Sequence, residues 1–120
     1  MWGLDELKTH KEILDEIDLD MTPEKAVETY LEWGTGWSRK EDCKRWPGQE
    51  SLYFVVYAWE DPPCVTLIRQ GSQGSMEVAK IHAPPKMVQD CIDAGGKKPG
   101  VGVYAINEPL KMWLRRLLGI

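Results

Sequence analysis

The stretch from Ser51 to Trp59, SLYFVVYAW, is apolar at almost every position, so an element built from it has no face for water. β-branched and aromatic side chains dominate it, which predicts a central strand buried on both faces. Glu60-Asp61-Pro62-Pro63 turns the chain, and CVTLIRQ (64–70) returns as the second strand of a hairpin. GSQGS (71–75) reads as a loop. The alternating MEVAKI (76–81) predicts a third strand and VGVYAI (101–106) a fourth.

Elsewhere the apolar positions recur at helical spacing. Leu7, His10, Ile13, Leu14 and Ile17 share one stripe of a charged segment and predict a first helix over residues 3–18. Thr22-Pro23 starts a second, with Ala26, Val27, Tyr30 and Leu31 as its stripe and Gly34 as its end. Ser38, with Glu41 three positions on, opens a short third helix that Pro47-Gly48 stops. Pro84-Pro85 starts a fourth, with Met87, Val88, Cys91, Ile92 and Ala94 toward the core. Asn107 caps the last, whose stripe is Leu110, Trp113, Leu114, Leu117 and Leu118.

The predicted class is α+β in the order αααβββαβα. Three N-terminal helices precede a small, mostly antiparallel four-stranded sheet with two further helices. The third strand, its following helix and the fourth strand suit one parallel pair through a right-handed crossover. Three helices and a hairpin also follow the order of a winged helix, so a winged-helix-like N-terminal part is an expectation carried by topology alone.

Charge changes the picture of the first helix. Residues 1–34 hold ten acids and three bases, and the remainder nine acids and twelve bases, within a net charge of −4. With the start-like MTPEKA, this divides the chain into an acidic add-on helix, residues 1–20, and a single α+β domain, residues 21–120. The acidic start and the lack of a long apolar run oppose a signal peptide or a membrane span. The cysteines, Cys43, Cys64 and Cys91, are odd in number and include no C-x-x-C pair. They therefore read as free thiols of a cytoplasmic protein.

The chemistry-bearing residues form no recognisable constellation. His10 reads as packed in its stripe. GGKKPGVG (95–102) leaves a helix for a strand, the reverse of a phosphate loop. The three thiols sit in apolar contexts, where reactivity falls. Cys43, near fixed positive charge, and His82, at a strand end, are the residues for a thiol-enzyme or ligand-binding reading. No cofactor or metal is expected from these spacings.

WGTGWSRKEDCKRWPG (33–48) concentrates three of the six tryptophans among four bases. Trp33 and Trp46 fit the core, whereas Trp37 has no periodic partner. A winged helix would read nucleic acid with Arg39, Lys40, Lys44 and Arg45. Glu41 and Asp42 interrupt that cluster, and Glu60-Asp61 would repel phosphates at the wing. The leading expectation is therefore a non-catalytic interaction protein, an accessory subunit or regulator of a larger assembly. Its partner-facing edge would be Trp37, Arg39, Lys40, Lys44 and Arg45. A nucleic-acid-binding regulator is the alternative, and a thiol enzyme or ligand-binding protein the third.

Overall fold

The computed structural model describes residues 2–23, 51–71, 74–94 and 102–120. The second expected helix beyond Pro23, and the whole third helix, lie outside them.

β1 (Ser51–Tyr57) is the strand that its composition predicts: every residue from Leu52 to Tyr57 is buried. It pairs antiparallel with β2 (Cys64–Gly71) from Ser51 opposite Gln70 to Tyr57 opposite Cys64. β3 (Gly74–Ile81) continues the meander on the far side of β2. β4 (Val103–Ala105) closes on the other edge of β1, antiparallel to it, with Val55 opposite Ala105. The sheet order is β3-β2-β1-β4. The expected parallel pair is thus corrected. β4 lies beside β1, at the opposite side of the sheet from β3, and the three pairings between these strands are antiparallel.

One face of the sheet carries Leu52, Phe54, Val56, Val65, Leu67, Ala79 and Ile81. The helices α3 (Pro85–Ala94) and α4 (Glu108–Leu118) supply Val88, Cys91, Leu110, Leu114 and Leu118 to the same core. Asn107 caps α4 as expected: its side chain accepts from the Leu110 N–H at 3.1 Å. Two stripe expectations are modified. Ala94 is exposed rather than core-facing, and Trp113 is only partly buried while Leu114 is fully buried. The opposite face holds Tyr53, Val55, Tyr57, Cys64 and Ile68, with Met21 and Val103 packed among them.

The first helix departs most from expectation. It breaks into α1 (Leu4–Lys8) and α2 (Lys11–Leu14). The break is made at one carbonyl. The Thr9 hydroxyl donates to Glu6 O at 2.7 Å, and His10 Nδ1–H donates to the same oxygen at 2.8 Å. Side chains that bond the local backbone compete with the helix ladder. His10 takes non-helical dihedrals (φ −106°, ψ 75°) and its carbonyl receives the N–H groups of Ile13 and Leu14. Its ring leaves the apolar stripe and stacks on Trp2, with centroids 3.9 Å apart.

Residue 2 is itself extended. Trp2 N–H donates to Val78 O, and Lys80 N–H donates to Trp2 O, both at 2.9 Å. It docks where a β-bulge shifts the β2–β3 register between Leu67 and Ile68. The bulge turns the adjacent Val78 and Ala79 both toward the main core. Farther on, Ile17 bridges Leu52, and Asp18 N–H donates to Leu52 O at 2.7 Å. Leu7, Ile13, Leu14 and Leu19 are members of the main core cluster.

The segment read as an add-on therefore contributes four core side chains and hydrogen-bonds both β3 and β1. Leu7 is fully buried, and Leu7→Ala should lower the unfolding free energy by about 2–5 kcal/mol in urea titrations. Removing residues 1–20 should abolish the cooperative transition. A sharp transition retained by 21–120 would show that those residues fold alone.

Candidate functional site

The residues Trp37, Arg39, Lys40, Lys44 and Arg45, and Cys43 with them, lie outside the described residues. The remaining expectations are placed. Cys64 and Cys91 are free and buried. Burial is the first cause that pushes both thiols above their ordinary pKa. Cys64 Sγ lies 3.8 Å from the Thr66 hydroxyl, and Cys91 Sγ accepts from the Asn107 N–H at 3.4 Å. Both sulfurs are thus occupied in packing, and a neutral buried thiol is a poor nucleophile. His82 is exposed after β3, and His10 is committed to Trp2 and Glu6. No cluster of three or more metal-ligating side chains occurs among the described residues.

The feature with organised geometry is the end of the β1–β2 hairpin. Past Tyr57 the strand ends, and Trp59 is 57 % exposed. Trp59 lies in the turn two residues on, and its indole stacks on the Tyr57 ring with centroids 4.2 Å apart. Gly102, just before β4, holds the indole from its edge. A Cβ there would stand 2.5 Å from Trp59 Cε3, and its φ of +66° lies in the region that glycine enters at little cost. The Ala58 N–H donates to Gly102 O at 2.8 Å, which fixes the two segments together. The result is an exposed aromatic surface backed by rigid sheet.

Charge surrounds this shelf. Lys80 Nζ meets Glu60 Oε1 at 3.1 Å, and Asp61 is exposed on the turn. Glu77 reaches the Tyr57 hydroxyl from β3. Burial, followed by the charge and hydrogen bond of Glu77, raises the Tyr57 pKa well above its ordinary 10.0. The phenol therefore stays neutral at physiological pH. Deeper on the same face, the Tyr53 hydroxyl donates to Gln70 Oε1, while Gln70 Nε2 is buried with no hydrogen-bond partner among the described residues.

Sequence reasoning singled out Trp37 and passed over Trp59. The signal was present as a tryptophan followed at once by the acidic, proline-rich turn EDPP. No family model, curated protein or solved structure matches this chain.

Two outcomes follow from the buried groups. In native protein at neutral pH, Cys64 and Cys91 should resist iodoacetamide and react only after denaturation, as read by peptide mass mapping. Tyr57 gives an alkaline signature. Unfolded, it ionises near pH 10, whereas the folded phenol holds its proton to higher pH, so its contribution is complete below about pH 10 and is lost as pH rises above it. Tyr57→Phe should make the fall of stability with rising alkaline pH shallower.

Proposed function

We propose that this protein is a small non-catalytic interaction protein, an accessory subunit or regulator of a larger protein assembly. The observation that carries the reading is Trp59: a large aromatic side chain, more than half exposed, yet held by Tyr57 and Gly102. An indole fixed before binding loses little entropy on contact, and tryptophan is enriched among residues that dominate binding energy. The core does not require its exposed face. The mixed charges of Glu60, Asp61 and Lys80 suit a protein surface, where complementary pairs set register. They do not suit a phosphate backbone, which needs unopposed cations.

Trp37, Arg39, Lys40, Lys44 and Arg45 are proposed as a second part of the partner-facing edge. Free thiols at Cys64 and Cys91 fit a reducing cytoplasm. Among the described residues no helix is long and apolar enough to cross a membrane.

The test is a native pull-down with quantitative mass spectrometry on tagged wild type, Trp59→Ala, Gly102→Ala and the distant surface control Met112→Ala. Wild type and Met112→Ala should retain one larger assembly, and both shelf variants should lose at least about tenfold of it, as expected for a hot spot. Gly102→Ala is informative because it keeps the indole but denies it its seat. Equal recovery by all four proteins would overturn the role of the shelf. Salt-sensitive duplex binding that vanishes in Lys40→Glu/Lys44→Glu would replace the reading with the nucleic-acid alternative.

A further inference from the structure

A second surface lies at the other end of β1. After α2 the chain runs through Ile17 and Asp18, which pair with Leu52, and on to Asp20. Facing it is the C-terminal turn of α4, which ends on left-handed Gly119 (φ 72°). The N–H groups of Gly119 and Ile120 both donate to Arg115 O, at 2.8 and 3.2 Å. Between the two segments is a groove of about 510 Å³. Leu14, Ile17 and Ile120 give it apolar surface that is buried or half-buried.

The polar lining is acidic. Among the described residues, Asp15, Asp18 and Asp20 line the groove against one cation, Arg115. Asp15 and Asp20 are exposed, and Asp18 is partly so. Lys111 meets Asp20 at 2.6 Å and Glu108 at 2.9 Å, so pairing with a partner cation falls to Asp15 and Asp18. The C-terminal end of an eleven-residue helix adds partial negative charge on the same side. Apolar surface and negative potential therefore meet in one concavity.

We propose that this groove docks a short basic, amphipathic segment of a protein partner. An apolar side chain of that segment covers Leu14, Ile17 and Ile120, and its lysine or arginine pairs with Asp15 and Asp18. Arginine fits best, because its planar fork meets a carboxylate with two parallel hydrogen bonds. Arg115, at the edge of the acidic lining, opposes any partner cation placed next to it. This surface goes beyond the interaction reading built on Trp59 and shares no residue with it.

The test uses the full chain, a capped peptide of alternating arginine and leucine, and its glutamate–leucine counterpart as control. Amide chemical shifts are followed at low salt. The basic peptide should shift amides at 14–20 and 115–120, and the acidic peptide should leave them unmoved. Asp15→Asn/Asp18→Asn keeps the size and one acceptor oxygen of each side chain while removing both charges, and should weaken binding about fivefold, the sum expected for two exposed ion pairs. Arg115→Gln should tighten it about twofold, a gain that misfolding does not produce. High salt should erase both differences. No shift with peptide in excess, shifts mapping elsewhere, or equal affinity in the Asn variant would overturn the proposal. So would concentration-dependent shifts of the same amides without peptide, which would make a second copy the occupant. Loss here with the Trp59-dependent assembly retained would sink the groove alone and leave the interaction reading standing.

Discussion

A strand buried from Leu52 through Tyr57 on successive residues needs cover on two faces and hydrogen-bond partners along two edges. Few arrangements of a chain this short meet both demands. β2 takes one edge along its whole length. The other edge is shared: β4 takes Val55–Tyr57, and Asp18 takes the carbonyl of Leu52. Leaving that carbonyl unbonded in a buried setting would cost about 1–3 kcal/mol. The loop after α2 is therefore structural, and its acidic residues are held in place by the pairing of Ile17 and Asp18.

The same demand explains the N-terminal segment. α1 and α2 have five and four residues, too short to persist alone in water. Burial of Leu7, Ile13 and Leu14 against the sheet maintains them. The turn at Thr9–His10 aims both helices into one core and brings the imidazole over Trp2. Trp2 in turn bonds β3 at its bulge and protects part of an edge strand from pairing elsewhere. Acidic composition on the outside and leucine or isoleucine on the inside are two sides of this arrangement.

Much of the fold was legible because it rests on local signals. An unbroken apolar run marks a two-faced strand, Asp-Pro-Pro marks a turn, and Asn107 marks a helix start. The break at Thr9–His10 was hidden because two side chains competing for the Glu6 carbonyl leave a helical periodicity intact. The place of β4 was hidden because a three-residue strand carries too little pattern to choose between β1 and β3 as neighbour. Trp59 was hidden by its position: it closes an apolar run and reads as its last buried residue. Its exposure arises because the strand ends two residues earlier and Gly102 gives the indole a seat on the surface. The acids of the groove read as an ordinary solvated helix face. They gather around apolar surface only because Ile17 leaves the helix to join β1.

The shelf and the groove stand at opposite ends of the strand on which the fold is built. Trp59 follows the last residue of β1 by two positions, and Ile17, which lines the groove, pairs with Leu52 at its start. Trp59 sits in the turn two residues past Tyr57, and at about 3.3 Å per residue Leu52 and Tyr57 are about 17 Å apart along the strand. A strand bonded on both edges holds that separation stiffly. On the proposed reading, a partner touching both surfaces must span it with an element of matching length. Once one contact is made, the second is intramolecular, and two weak contacts then give an avidity that neither supplies alone. Such coupling requires a fixed distance more than a deep pocket, and a small domain organised around one fully buried strand supplies it.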